Sequence, residues 1–360
     1  MRNYIVLLIV YTTYTIPSLQ RSYELNFRSG IVYAVYTILT ITEFRNCLNY
    51  IYLRKEVMEK NKYAAGHLSA ALTILIWGTT FISTKLLLQD FKPVEILFLR
   101  FVMGLLALIL ISPRHLKISD KKQEVIFACA GLCGITLYYL LENIALTYSM
   151  ASNVGVIISV APLFTGVLAW RFLKGEALTI NFFIGFLTAI IGISLISFSG
   201  STAFKVNPLG DLLALAAAAL WAIYSILTKK ISTYGYPTIQ TTKRIFAYGL
   251  LFMLPALFLF DFKPDFTCFQ DPVNLFNILF LGLGASALCF VTWNFAVKKL
   301  GAVKTSIYIY MVPVITVFTS VMILKEVITW PTAVGTILTM TGLFISKSKL
   351  RIRKTETVKY

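Results

Sequence analysis

The chain has 360 residues, and 33 Lys and Arg against 16 Asp and Glu give a formal net charge of +17. Hydrophobic residues make up 58% of it and charged residues only 14%, against about 25% charged in a soluble globular chain. So few charges cannot cover a water-facing surface of this size. A soluble enzyme, a disordered tail and a collagen-like fibre are excluded, and an integral membrane protein is left.

Residues 1–57 fit this class least cleanly. Two aromatic-rich apolar patches, 4–18 and 31–41, are too short or too polar for spans. Arg2 with residues 4–18 faintly resembles a signal peptide, but no small-x-small cleavage site follows. Met58-Glu59-Lys60-Asn61-Lys62 has the character of a cytoplasmic start. The expectation is that the functional chain begins at Met58 and that 1–57 is a misassigned or dispensable leader.

Beyond residue 60, apolar runs of the length that crosses a bilayer as helix fall at 66–87, 94–113, 124–146, 153–172, 179–199, 209–230, 238–260, 274–297, 303–324 and 330–347. The fold class predicted is all-α, with ten transmembrane helices. The links are short, so sequential helices should be neighbours. With residues 58–65 in the cytoplasm, the cytoplasmic links and the basic tail, 348–360, with the span ends that adjoin them, hold 19 Lys and Arg. The opposite side holds five: Lys85, Lys92, Lys205, Lys263 and Lys325. Cations retained inside in this way orient a multi-pass chain. Both termini are expected in the cytoplasm, with the chain in the plasma or inner membrane. The charge is thereby explained without a nucleic-acid partner.

The chain repeats itself. An offset of 144 carries Gly66 onto Gly210, Trp77 onto Trp221, Pro93 onto Pro237 and Arg100 onto Arg244. An offset of 151 carries Asn143 onto Asn294, Ala145 onto Ala296, Pro162 onto Pro313 and Thr165 onto Thr316. With one residue dropped, Gly185 and Gly192 meet Gly335 and Gly342. Each copy holds five spans, residues 64–200 and 208–347. Five is odd, so the second copy crosses in the opposite sense. Inverted repeats of this kind build secondary transporters, which place one midplane site between two related halves.

The residues that repeat also carry a family resemblance. Leu75-Ile76-Trp77-Gly78-Thr79-Thr80-Phe81, Arg100-Phe101, and Ala151-Ser152-Asn153 leading to Ala161-Pro162 resemble an EamA domain. Leu220-Trp221-Ala222 and Val312-Pro313 resemble a second one. Two such domains are the pattern of the drug/metabolite transporter superfamily, and the resemblance covers about residues 64–347. It implies a secondary transporter working by alternating access, an exporter of small metabolites such as amino acids. Relatives in the superfamily carry sugars or nucleotides, so the substrate stays open.

Along the spans, several constellations could serve such a role. Ser69, Thr73, Trp77, Thr80 and Thr84 share one helix face, and Trp221, Tyr224, Ser225 and Thr228 form its counterpart. The hydroxyls suit either helix–helix hydrogen bonding or a cavity wall. Trp77 and Trp221 lie about eleven residues into their spans, close to the bilayer middle at about 1.5 Å per residue, away from the interfacial belt where tryptophan is usual. Arg100 and Arg244 are intramembrane charges, suited to snorkelling or to an anion, and Lys85 is a further candidate. Glu142 beside Asn143 is the most convincing acid inside a span. It suits a substrate ammonium or a coupling proton, or else a structural ion pair with Arg100. Pro162 and Pro313 each lack an N–H and mark a kink or gate. Tyr138, Tyr139, Tyr308 and Tyr310 combine a ring with a hydroxyl. The paired glycines of spans 5 and 10 suit scaffold packing or a homodimer contact.

The substrate cavity expected from these readings comprises Trp77, Thr80, Tyr138, Glu142, Asn143, Trp221, Tyr224, Asn294 and Tyr308. The partners expected are a small-molecule substrate and the lipid bilayer. No nucleotide-binding loop, catalytic constellation or Cys/His metal spacing is present in the sequence, so no cofactor, metal or enzymatic activity is expected. The alternatives are a carrier of an anionic metabolite or lipid headgroup, with Arg100 and Arg244 as contacts, and an integral membrane enzyme.

Overall fold

The computed structural model describes residues 63–118, 120–148, 151–173, 179–199, 208–324 and 330–347. The expectations for the leader and for the basic tail lie outside these residues. Among the described residues the chain is all helical, with no strand.

Helix α1 spans Tyr63–Leu87, α2 Pro93–Ile111 and α3 Lys121–Tyr148. Helix α4 runs in two pieces, Ala151–Ile158 and Ala161–Phe172, and α5 is Ile180–Ser199. The second half repeats the order with α6 Pro208–Ser232, α7 Thr238–Leu259 and α8 Pro272–Leu300. Helix α9 joins Ala302–Ser306 to Met311–Leu324 through a 3₁₀ turn, Ile307–Tyr310, and α10 is Trp330–Lys347. Six of these, α1, α2, α3, α6, α7 and α8, are long and apolar enough to cross a membrane by length and composition. Apolar stretches in α5, α9 and α10 are shorter. Many large apolar side chains face outward, among them Leu110, Phe258, Leu259 and Trp330, as a lipid-facing surface requires.

The ends are set by local chemistry. Pro93 opens α2, where its missing N–H is no loss. The Lys92 and Lys263 backbone amides both donate to buried Glu95, at 2.8 and 3.1 Å. That carboxylate therefore ties the 260–265 loop to the start of α2. Asp261 in the same loop accepts from Lys263 and Lys92, and the Lys263 bond first of all holds its carboxyl below the ordinary value. Asp120 and Asp271 cap α3 and α8 by accepting from Lys122 and Val273. Between α8 and α9 the chain reverses at Gly301 with φ 94°, where only glycine is unstrained.

Helices α5 and α10 pack antiparallel over their length. Gly192 faces the Gly335 carbonyl and Thr339, and Gly342 faces the Gly185 carbonyl and Ala189. A Cβ at either would lie within 2.6 Å of backbone. The four repeated glycines thus meet crosswise in space, Gly185 with Gly342 and Gly192 with Gly335. The inner helices are α6, which packs on α3, α4 and α8, and α2, which packs on the middle of α8.

Both α4 and α9 change course just before their proline. In α4 the helix breaks at Ser159–Val160, and Pro162 lies in the first turn of the second piece. In α9 the 3₁₀ turn ends at Tyr310, three residues before Pro313. Each ring removes the N–H that would have continued the ladder, so the break and the residue type coincide in both copies.

Candidate functional site

The tryptophans of the two halves meet. The Trp77 and Trp221 rings lie edge-on at 5.2 Å, and Trp293 of α8 stands 5.2 Å from Trp77. Tyr138 and Tyr224 flank Trp221 at 4.9 and 5.1 Å. Phe290 contacts Trp77 and Tyr139 at 5.6 and 6.1 Å. These separations are those of mutually attractive ring pairs. The cluster draws on α1, α3, α6 and α8, so all four helices must hold register for it to form. Phe290 and Trp293 were not singled out in the sequence, because one aromatic among many in an apolar span carries no positional signal.

The backbone around the cluster is irregular in a symmetric way. Helix α3 widens to a π-helix over Leu132–Leu137, and α8 does so over Phe280–Leu288. The offset of 151 carries the first into the second. A π turn loosens the regular ladder and recurs at functional positions. Here the carbonyl of Ala285, inside the second π-helix, accepts the Trp77 indole N–H at 3.0 Å. The matching indole of Trp221 has no hydrogen-bond partner, and neither has that of Trp293, although both are buried.

Glu142 is the acidic member. It is 8% exposed, and its Oε2 has no hydrogen-bond partner. Tyr138, one turn before it, approaches the same carboxyl with its hydroxyl. The ion pair with Arg100, one of the two sequence expectations for Glu142, does not form at contact distance, although the Arg100 charge lies near enough to act on that carboxyl. Arg100 is buried. It donates from Nε to Ser286 of the second π-helix at 3.0 Å and sits 4.7 Å from the Tyr139 ring centroid, a cation–π distance. The bond to Ser286 of α8 holds the guanidinium over the Tyr139 ring of α3, near Glu142 but outside ion-pair distance.

Asn143 and Asn294, matched by the repeat, both fasten neighbouring helices. Asn143 donates to the Pro93 carbonyl at 3.2 Å, joining α3 to α2. Asn294 accepts from the Tyr224 hydroxyl at 2.9 Å and donates to Thr242 at 3.0 Å, joining α8 to α6 and α7. Asn294→Leu is therefore expected to lower the thermal stability of the detergent-solubilised protein by about 1–3 kcal/mol, since it strands the buried Tyr224 hydroxyl. Adding Tyr224→Phe should recover part of that loss, which the melting temperature measures.

Other sequence candidates are placed away from the cluster. Arg244 binds Glu124 of α3, with Nε to Oε1 at 2.8 Å, and Tyr248 donates to the same oxygen. Its charge is already matched. Tyr308 meets His67, hydroxyl to Nδ1 at 2.8 Å, and does not enter the aromatic cluster. The Thr80 hydroxyl donates back to the Trp77 carbonyl, and Ser225 and Thr228 bond to carbonyls of their own helix. These hydroxyls satisfy themselves locally. Thr73 is different, bonding across to Thr292 of α8 at 2.6 Å.

The comparisons bear on this arrangement. The model of the EamA-like transporter family matches residues 64–198 and again 208–347. An uncharacterized transporter of Archaeoglobus fulgidus is 30% identical over 79% of this chain and 97% of its own. A protein of Streptantibioticus cattleyicolor described as a probable terminal-alkyne amino-acid exporter is 26% identical over 79% of this chain and 94% of its own. A crystal structure at 19% identity superposes with a TM-score of 0.65 over 79% of this chain and 97% of that one, which speaks for the fold. Two family matches that divide the chain at the boundary of its own repeat, over an all-helical fold with long apolar helices, place the protein: it belongs to the EamA-like transporter family.

Proposed function

We propose that this protein is a secondary exporter of small metabolites bearing an amine, such as amino acids, and that they pass the Trp77–Trp221 cluster. The observation that carries this reading is Glu142. A buried carboxylate oxygen without a partner costs several kcal/mol if ionised, unless a cation comes to it. An ammonium beside aromatic rings answers both features, since the rings add cation–π attraction. The unpartnered indole N–H groups of Trp221 and Trp293 supply donors for a carboxylate on the same molecule. The amino-acid exporter among the relatives supports this choice of substrate class. Transport, not catalysis, is the role the family membership favours.

In this reading the chain crosses the membrane ten times as two inverted five-helix halves, with both termini in the cytoplasm. The matched π-helices, matched proline breaks and the 19-to-5 division of cations support it. The test is a metabolite profile of medium and cells, comparing a deletion strain with one overexpressing the protein. An amine that accumulates outside on overexpression and inside on deletion is expected. Depletion of that amine from the medium on overexpression would mean uptake.

One observation favours a second substrate. Arg100 is buried without a carboxylate partner, so an anionic metabolite or lipid headgroup is the alternative. Arg244, bound to Glu124, does not share that role.

A further inference from the structure

An open cavity of about 390 Å³ lies beside α1, where α7 begins and α2 ends. Ser69 of α1, Ser112 after α2, Thr238 and Gln240 of α7, and Thr292 and Phe295 of α8 line it. None of these belongs to the aromatic cluster. The volume is within the range of small-molecule sites, about 300–1,000 Å³, and the accessible lining is mostly apolar, from Pro237, Ile239, Val291 and Phe295, with a few hydroxyl and amide groups among them.

What lies beneath it is the informative part. Ser69, Thr73 and Trp77 succeed one another by one turn along the same face of α1. Ser69 is at the cavity and Trp77 is in the cluster. Between them, Thr73 is fully buried and its hydroxyl meets that of Thr292 at 2.6 Å. Cys289, also fully buried, sits one turn before Thr292 and contacts the Thr73 carbonyl. Along this face of α1 the Thr73–Thr292 hydroxyl pair thus lies between Ser69 and Trp77, with Thr292 itself on the cavity wall. The repeat mates of Thr73 and Thr292 are Ala217 and Leu141, which cannot make such a bond. The feature belongs to one side only.

We propose that this cavity is the cytoplasmic antechamber for the exported molecule, and that the Thr73–Thr292 pair is its inner gate. The inference rests on the transport reading and on its topology, which places Ser112, Pro237 and the start of α1 inside. The occupant is the same amine-bearing small molecule, held loosely against apolar side chains and a few hydroxyls before it reaches Glu142. A hydrogen bond suits a gate that must open often. It can be exchanged for bonds to water or to the arriving solute, whereas interlocked apolar side chains offer no such exchange.

The test uses the full chain with Cys289 as the one retained native cysteine, in sealed vesicles of both orientations, read by mass spectrometry. The probe is the membrane-impermeant cation MTS-ethyltrimethylammonium. In the Gln240→Cys variant, the introduced thiol should react when the cytoplasmic face is presented and stay unmodified when the outer face is. Cys289 should react slowly in the parent. Thr73→Val should speed its modification from the cytoplasmic face about tenfold, the scale of one buried hydrogen bond, and Thr73→Ser should restore the slow rate. Thr292→Val provides the same test if Thr73→Val fails to fold. An unchanged Cys289 rate in the valine variants, or faster attack from the outer face, would overturn the proposal. Failure of the transport reading is a separate outcome, absence of solute flux in proteoliposomes, and does not depend on these rates.

Discussion

Glu142→Gln is expected to leave the protein folded and to weaken its handling of amine substrates by about 10- to 150-fold. That range corresponds to the loss of one hydrogen bond to a charged group, about 1.5–3 kcal/mol. Gln keeps the volume and one acceptor but removes the charge. Since Glu142 makes no ion pair at contact distance and the nearby Arg100 is bonded to Ser286, removing its charge breaks no direct contact, and expression should hold. Solute flux in proteoliposomes, measured beside size-exclusion profiles, separates the possibilities. Loss of flux with a normal profile is the outcome expected. Loss of the folded protein would make Glu142 structural. Arg100→Gln is the companion variant: if it abolishes flux while Glu142→Gln does not, the anionic substrate gains the ground.

The largest expected effect on stability comes from the α5–α10 pair. Gly342→Leu places a Cβ within 2.6 Å of the Gly185 carbonyl and the Ala189 amide. Those are backbone atoms of a packed helix and cannot swing aside. Overpacking of this kind costs about 1–3 kcal/mol, occasionally more, and here the two helices must separate along much of their length. Gly192→Leu meets the Gly335 carbonyl in the same way. Each variant should lower the melting temperature in detergent, and the double variant should yield little folded protein. Leu283→Ala, at an exposed position on α8, is the control that should change little. A normal melting temperature for Gly342→Leu would mean that the close approach is not maintained in the membrane.

Much of the architecture was legible because its determinants are one-dimensional. Apolar runs mark helices, and two offsets, 144 and 151, expose the repeat. The glycines at 185, 192, 335 and 342 announce a close contact, and they supply it to each other. Trp77 and Trp221 stood out by depth and by repetition, and their rings meet. The π-helices were not legible. A shift from i+4 to i+5 bonding leaves no hydrophobic period of its own. Side-chain pairing was equally hidden. Whether Arg244 meets a substrate or Glu124 depends on which helices are neighbours, and Tyr308 could not be assigned to His67 from a separation of 241 residues. The hydroxyl stripe shows the same limit. Thr73 and Thr80 share a face, yet one reaches across to α8 and the other folds back on its own turn.

The central claim is that an amine crosses the membrane by way of Glu142 and the tryptophan cluster. The most direct measurement loads proteoliposomes of the full chain with a mixture of amino acids and anionic metabolites and follows their release. Release of one or more amines, faster than from protein-free vesicles and lost in Glu142→Gln, is the result expected. Amine release that persists unchanged in Glu142→Gln, or release confined to the anions, would contradict it.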